Sequence, residues 1–365
     1  VQSENDLNRV MELLKRYGYQ SQSYNILRSD KSYFFSPSGI DGVIAYVVYV
    51  RVALAAGDPV CAQSDLPTFV AEFKLFCRAH GWRCCFQAIT DRCKTDLENM
   101  GFDIIKIGEE PIFELAKLSW EGGKYGDLRK DINSARRHGL TVVEYCPLAG
   151  RRHDWEKQME ELSAIWKEFK GSGEFSFLIG EPSLDAPGER KYFLALINNQ
   201  VEAFIVCAPI FARNGIYFDL MRRRQKPLRG TSQLLITESF RLLKEQGYAM
   251  ATLGAAPLAS EHVDDPTQNH IIEMALKFAF DRLGYFHRFK PTYRFKEQFA
   301  PTSWEGHYLA FGSHRFNPII LYALLKAYDP SGVTGKLLRQ IQHAWRGIRT
   351  LNPVPGSLRH RLPGR

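Results

Sequence analysis

One order of strands and helices runs through this chain twice, and that repetition constrains the fold more than any single residue does. In the first half, Gly42 to Val50 and Val52 to Ala56 read as strands ending at Gly57-Asp58-Pro59. A helix is expected from Ser64 to His80, because Pro67 falls in its first turn and Phe69, Val70, Phe73 and Phe76 recur at helical spacing. A strand from Cys84 to Ile89, a helix from Arg92 to Met100 and a strand from Asp103 to Leu115 follow. The second half restates this order. Gln200 to Pro209 and Gly215 to Met221 are strands, Arg222 to Gly230 is a basic loop, and Thr231 caps a helix reaching Gln246. Ala249 to Leu253, a helix from Asn269 to Leu283 and a closing strand from Tyr308 to Phe311 complete it. The expected class is α/β (α+β), with two copies of one mixed unit suiting 365 residues better than one large sheet. Boundaries are placed at residues 1–120, 121–150, 151–312 and 313–365. Between the halves, Lys124 to His138 has helical spacing, Pro147 and Gly150 mark a break, and Trp155 to Phe169 opens the second half as a helix. Residues 171–190, rich in Gly, Ser and Pro, read as an ordered loop or lid.

Composition narrows the class. With 45% hydrophobic and 24% charged residues, the chain is neither disordered nor a small disulfide scaffold. The seven cysteines (61, 77, 84, 85, 93, 146 and 207) are odd in number and lack CxxC spacing, which reads as buried thiols in a reducing compartment over a metal or redox site. No apolar run approaches the roughly 18 to 20 residues a spanning helix needs, since Val43 to Ala56 is cut by Arg51. The chain opens on polar VQSENDLNR, not a signal peptide, so a cytoplasmic location is expected. The net charge is +8, and residues 331–365 carry seven basic side chains and no acid. The other 330 residues therefore hold 41 basic against 40 acidic groups.

The stretch IYFDLMRRRQKPLRGTSQLLI carries the densest signal. Arg222, Arg223, Arg224, Lys226 and Arg229 put five basic residues into eight positions. They lead to Gly230 at a loop-to-helix junction, where free backbone N–H groups and the helix dipole favour an anion. Phosphate contact and a solvated basic turn both remain open readings. The position matches the pyrophosphate loop of GCN5-related acetyltransferases, but Gly230 alone stands for their glycine-rich signature, which argues against an acyl-coenzyme A site. Asp219 near the end of the preceding strand, with Arg222 three residues on, is either a salt bridge or a functional pair.

Six motifs occur in register: GDPV (57–60), GFDIIKIGEEPIFEL (101–115), KYGDLRKDINSARRHGLTV (124–142), YFDLMR (217–222), LGAAPLA (253–259) and YRFKEQFAPTSWEGHYLAF (293–311). Over residues 25–312 the chain thereby resembles the soluble catalytic part of the lysylphosphatidylglycerol synthetases, the multiple peptide resistance factor family. The resemblance implies tandem GCN5-related acetyltransferase-like folds joined by a basic helix, with no coenzyme A and no other cofactor. It implies transfer of an aminoacyl group, lysyl first and alanyl as the alternative, from aminoacyl-tRNA to phosphatidylglycerol. The resemblance implies a catalytic pair at Asp219 and Arg222, a phosphate contact at Lys296, and tRNA contacts along the basic helix at Lys124, Arg129, Lys130, Arg136 and Arg137; Glu174, Gly230, Gly254 and Arg294 are further candidate substrate contacts. Two departures bear on amino-acid specificity: Gln233 stands where the family has an acid, and the loop FSFLIG (175–180) is longer than the family's. The membrane-embedded flippase portion usual in the family is not in this sequence, so a separate flippase is an expected partner.

An aminoacyl ester is already activated, so its transfer to an alcohol needs no ATP or metal. Asp219 suits an ammonium-binding role better than that of a general base, since an ordinary Asp has a pKa near 3.9. Arg222 and Lys296 suit phosphate, and Lys296 reads equally as a surface lysine. The connecting helix suits acceptor-stem phosphates or a solvated face laced with its own acids. Tyr293, Phe295, Phe299 and Trp304 stack on the CCA end or sit in the core. In the tail, Leu337, Leu338, Ile341, Trp345 and Ile348 share a helical face opposite Lys336, Arg339, His343 and Arg346. With Arg349, this is the pattern of an interfacial helix on anionic lipid, and packing on the protein's own core is the alternative. A transferase with a different lipid or peptide acceptor, and a non-catalytic membrane or RNA-binding module, complete the candidate functions.

Overall fold

The strands of both halves join edge to edge in a single sheet in the computed structural model, which describes residues 2–170, 184, 188–257, 289–312 and 318–328. The first half holds α1 (Glu4–Tyr17), β1 (Ser32–Phe35), β2 (Gly42–Tyr49), β3 (Val52–Ala56), β4 (Val60–Cys61), α2 (Leu66–Ala79), β5 (Arg83–Thr90), α3 (Asp91–Asn99) and β6 (Asp103–Glu114). The connecting helix is α4 (Gly126–Arg137). The second half holds β7 (Thr141–Tyr145), α5 (His153–Lys170), β8 (Lys191–Ile197), β9 (Gln200–Ile210), β10 (Gly215–Arg223), α6 (Thr231–Glu245), β11 (Met250–Thr252) and β12 (Ala256–Pro257). Then come α7 (Phe289–Glu297), β13 (Ser303–Phe311) and α8 (Pro318–Tyr328).

The main path of the sheet runs β1-β2-β3-β5-β13-β6-β11-β10-β9-β8-β7. This corrects the expectation of two separate sheets: β6 pairs with β11 through Phe113↔Ala251, so the halves share one hydrogen-bonded ladder. It also corrects the place of the closing strand. β13 inserts between β5 and β6 of the first half, with Ala310 opposite Phe86 on one side and Ile104 on the other. Hydrophobic alternation predicts that a segment is a strand, but not which edges it will join.

Period-two alternation distributes the core over both faces. On β2, Ile44 and Tyr46 face Phe69, Val70 and Phe73 of α2, while Val43, Ala45 and Val47 face Val10, Leu13 and Leu14 of α1. α8 adds Ile320, Ala323 and Leu324 to the α1 side. Fully burying one such Phe contributes about 1.5–3 kcal/mol. In the second half α4 and α6 cover one face and α5 the other. A smaller cluster of Tyr24, Ile112, Ala208, Ile210, Tyr217 and Met250 lies at the seam.

Helix α1 went unread in the sequence although it carries a start signal: Ser3 Oγ accepts from the Asp6 amide at 3.1 Å, and Asp6 Oδ2 accepts from the Ser3 amide at 3.2 Å. The N-cap of α6 is Gly230, at φ +85°, and Thr231 is its first helical residue rather than its cap. Six of the cysteines are buried, as read, and Cys146 is exposed. The expected helix at 269–283, most of the 171–190 loop with Glu174, and the tail with Lys336, Arg339, Trp345, Arg346 and Arg349 lie outside the described residues.

Candidate functional site

Two parallel strands, β10 and β11, pair from Gly215↔Met250 to Tyr217↔Thr252 and then part. Past the parting, β11 reaches Gly254 at φ +75°, a conformation that favours glycine. A Cβ there would also sit 2.8 Å from the Tyr217 ring. Lys296 of α7 crosses to this turn, and its Nζ donates to Gly254 O at 2.6 Å and to Ala255 O at 2.9 Å. The lysine is 7% exposed. Burial pushes its pKa down to about 8, against the opposing pull of the Glu110 carboxylate.

On β10, a spacing of three would normally put Asp219 and Arg222 on opposite faces. The register with β9 slips between Phe218 and Leu220, leaving Asp219 as the extra residue of a β-bulge. Packing shows the consequence. Ile216, Phe218 and Met221 belong to the α4–α6 face, whereas Leu220 joins the α5 cluster and the Arg222 guanidinium lies 5.2 Å over the Trp166 ring of α5. Asp219 follows Tyr217 to that same side, where Asn25 Nδ2 donates to its Oδ1 at 3.1 Å. The bulge therefore brings Asp219 and Arg222 to one face, both largely buried.

Behind Tyr217 lies a buried ion pair that the sequence reading did not single out. His307 Nε2 of β13 meets Glu110 Oε2 of β6 at 2.7 Å. Ser21 Oγ donates to the same oxygen at 2.9 Å, and Thr252 Oγ1 to Oε1 at 2.8 Å. Burial alone would raise the Glu110 pKa, but His307 and these donors outweigh it and hold it low. Burial would lower His307, and the carboxylate raises it instead. Both residues stood inside recognised motifs. No local signal marked them, because they are 197 positions apart.

The remaining candidates separate. Gly230 is buried against α4, where a Cβ would meet Asp131 O at 2.0 Å, so close helix approach explains this glycine. The basic loop disperses: Arg222 turns inward, Arg224 pairs with Glu202 at 2.9 Å and Arg229 with Asp131 at 2.7 Å. On α4, Arg129 donates to Trp120 O and Gly122 O, and Arg136 pairs with Glu238. Lys124, Lys130 and Arg137 are exposed on the connecting segment, with Lys130 3.2 Å from Asp127. Arg294 is also exposed, while Phe299 is core and Tyr293 stacks on Trp304 at 4.4 Å.

A sequence-family model described as phosphatidylglycerol lysyltransferase, C-terminal, matches residues 11–311. The phosphatidylglycerol lysyltransferase of Bacillus subtilis (strain 168) is 26% identical over 331 residues, covering 89% of this chain and 37% of that protein. The lysylphosphatidylglycerol biosynthesis bifunctional protein LysX of Mycolicibacterium vanbaalenii is 29% identical over 279 residues, covering 70% of this chain and 24% of that protein. The chain thus spans well under half the length of these relatives. Among solved structures, L-PGS from Bacillus licheniformis shares the fold at 24% identity and a TM-score of 0.76, over 90% of this chain and 98% of that one.

Proposed function

The chain belongs to the phosphatidylglycerol lysyltransferase C-terminal family, and from that membership we propose that it transfers an aminoacyl group, lysyl first and alanyl as the alternative, from aminoacyl-tRNA to phosphatidylglycerol. The observation that carries the site assignment is the bulge that sets Asp219 and Arg222 on one face beside the β10–β11 parting. There the carboxylate of Asp219 holds the ammonium of the aminoacyl group, and Arg222 takes a phosphate of the lipid or of the tRNA end.

In this reading a glycerol hydroxyl of the lipid attacks the ester carbonyl. The tetrahedral oxyanion collapses with departure of the ribose oxygen of the terminal adenosine, which takes up the proton lost by the attacking hydroxyl. Lys296, pinned by two carbonyls at the parting, supplies positive charge where negative charge develops. Buried charges fixed before the reaction need no reorganisation during it, which is the source of their effect.

The tRNA is assigned to the exposed Lys124, Lys130 and Arg137, with Arg129 and Arg136 holding the helix in place. Phosphate contacts of this kind make affinity salt-dependent. No helix among the described residues is long and apolar enough to cross a membrane. Surface attachment falls in this reading to the basic tail, residues 331–365. Truncation after Asp329 is expected to weaken binding to anionic vesicles, measured by co-sedimentation; unchanged binding removes the tail from that role.

Incubating the protein with lysyl-tRNA or alanyl-tRNA and phosphatidylglycerol vesicles, then separating the lipids, tests the main reading. Aminoacyl-phosphatidylglycerol is the expected product. Its absence with every charged tRNA overturns the proposal.

A further inference from the structure

The segment between α1 and β1 belongs to the first half by sequence, yet it touches both halves. The Ala212 amide of the β9–β10 connection donates to Gly18 O at 3.1 Å. Gln20 Nε2 donates to Ala88 O in β5 at 2.8 Å, and Ser21 Oγ to Glu110 in β6. Tyr24 joins Tyr217 in the seam cluster, and Asn25 reaches Asp219 in β10. Gln20, Ser21, Ser23 and Asn25 are each 4% exposed or less. Four polar side chains buried in ten residues would be costly without partners. Here the partners of Gln20, Ser21 and Asn25 lie on three different strands, so the segment is a strap fixed at several points.

Asn25 is the point at which this strap meets the site. Its amide donates a hydrogen bond but carries no charge, so it fixes one carboxylate oxygen of Asp219 without neutralising it. A lysine or arginine there would cancel the charge that an ammonium must find, and an aspartate would repel it. Asn25 itself sits in a short 3-10 turn, Ser23–Leu27, whose Tyr24 is held in the seam. Its position is therefore set before any substrate arrives.

We propose that Asn25 is a positioning residue: it aims the Asp219 carboxylate at the aminoacyl ammonium, so that the first half completes the site of the second. This rests on the reading of Asp219 given above and deepens it. The consequence is that amino-acid binding depends on the docking of residues 18–27, although none of the six recognised motifs includes them.

The test uses the full chain with Asn25→Ala, Asn25→Asp, Asp219→Asn and the double variant Asn25→Asp/Asp219→Asn. Transfer kinetics, calorimetric binding of amide-linked lysyl-adenosine, which cannot be turned over, and urea unfolding are measured for each. Asn25→Ala is expected to lower kcat/KM roughly ten- to hundredfold, the usual range for a hydrogen bond to a charged group, mainly through KM, with a matching loss of analogue binding. Asn25→Asp should lower the urea midpoint as well. The double variant should recover that midpoint, because an amide again faces a carboxylate, yet remain inactive because the charge has moved.

Wild-type kcat/KM and analogue binding in Asn25→Ala, or a double variant whose loss of stability is the sum of the single losses, would overturn the assignment. If Asn25→Asp does not fold, Asn25→Ala and a double variant that does fold decide the matter. A wild-type protein that makes no aminoacyl lipid refutes the functional reading instead, while the binding and unfolding arms still judge Asn25. Loss in Asp219→Asn alone, with Asn25→Ala unaffected, refutes this inference and spares that reading.

Discussion

Each half of the molecule has a place where two parallel strands part, and the two places are finished differently. In the first half β3 and β5 pair as far as Ala56↔Gln87, and β5 then passes through Ala88 at φ +61°. In the second half β10 and β11 pair as far as Tyr217↔Thr252, and Gly254 follows at φ +75°. At both, the carbonyl of the positive-φ residue accepts from a buried side chain. That side chain is the neutral amide of Gln20 in the first half and the ammonium of Lys296 in the second. The first parting is filled: Gln20 lies so close that a Cβ on Gly57 would fall 1.9 Å from its Oε1. The second is closed by Lys296, and β10 runs on past it to the buried Asp219 and Arg222. A similar parting is thus closed by a neutral amide in one half and by an ammonium in the other.

The two partings share the seam between them, and breaking it should have the largest effect. His307→Ala leaves Glu110 as a buried, unpaired carboxylate and is expected to cost about 3–5 kcal/mol in urea unfolding. The pH dependence has two signs. With its pKa raised on folding, His307 contributes below its unfolded value near 6.5 and loses that contribution as pH rises through the folded value. Glu110, with its pKa lowered, contributes above its unfolded value near 4.5 and loses it as pH falls through the folded value. Wild type should therefore exceed the variant most between about pH 4.5 and 6.5.

Next in size, Asp219→Ala should reduce transfer about 10²- to 10³-fold in kcat/KM, comparable to losing one preorganised charge-stabilising group. The unfolding midpoint should change little by comparison, since the removed charge was itself costly to bury. Lys296→Met should reduce transfer by roughly tenfold or more. Because folding lowers the Lys296 pKa to about 8, its buried charge opposes stability below that pH and is relieved as pH rises toward 10.5. Wild type should accordingly gain stability relative to Lys296→Met across that interval, and should lose activity there as the charge disappears.

The smallest effect sharpens the contrast. Gln20→Ala leaves Ala88 O without its donor and should cost about 1–3 kcal/mol, while kcat/KM falls far less than in Asn25→Ala, because Ser21 and Asn25 still anchor the strap. A large loss of transfer in Gln20→Ala would mean that the first parting is not merely a plug.

Much of the fold was legible from periodicity. The strands and helices expected between Gly42 and Leu115, and between Gln200 and Leu253, are observed with ends shifted by a few residues at most. β7 and β8 went unread, and so did α1, even though Ser3, Asp6 and the i, i+3, i+4 set Val10, Leu13 and Leu14 mark it. For the site, Asp219, Arg222 and Lys296 were named through motif resemblance; the structure sets Asp219 and Arg222 on one face of β10 and Lys296 against the turn that follows β11. Glu110, His307, Thr252 and Asn25 were not legible, because each acts through a partner far away in the chain. Gly230 was legible as special, and the structure adds a cause that local sequence does not carry, the backbone of α4 lying where a Cβ would sit.

By itself, then, the amino-acid sequence determined which segments bury a face, that the unit is repeated, where the charge excess lies and which family's motifs are present. Those are local properties, set by side-chain period and residue type. Tertiary structure alone decided that β13 crosses into the first half, that a bulge turns Asp219 and Arg222 to one face, and that Asn25 meets a carboxylate 194 positions away. The physical reason is that alternation reports whether a side chain is buried. Which partner it meets depends on the edge at which its strand pairs and on the register it takes there.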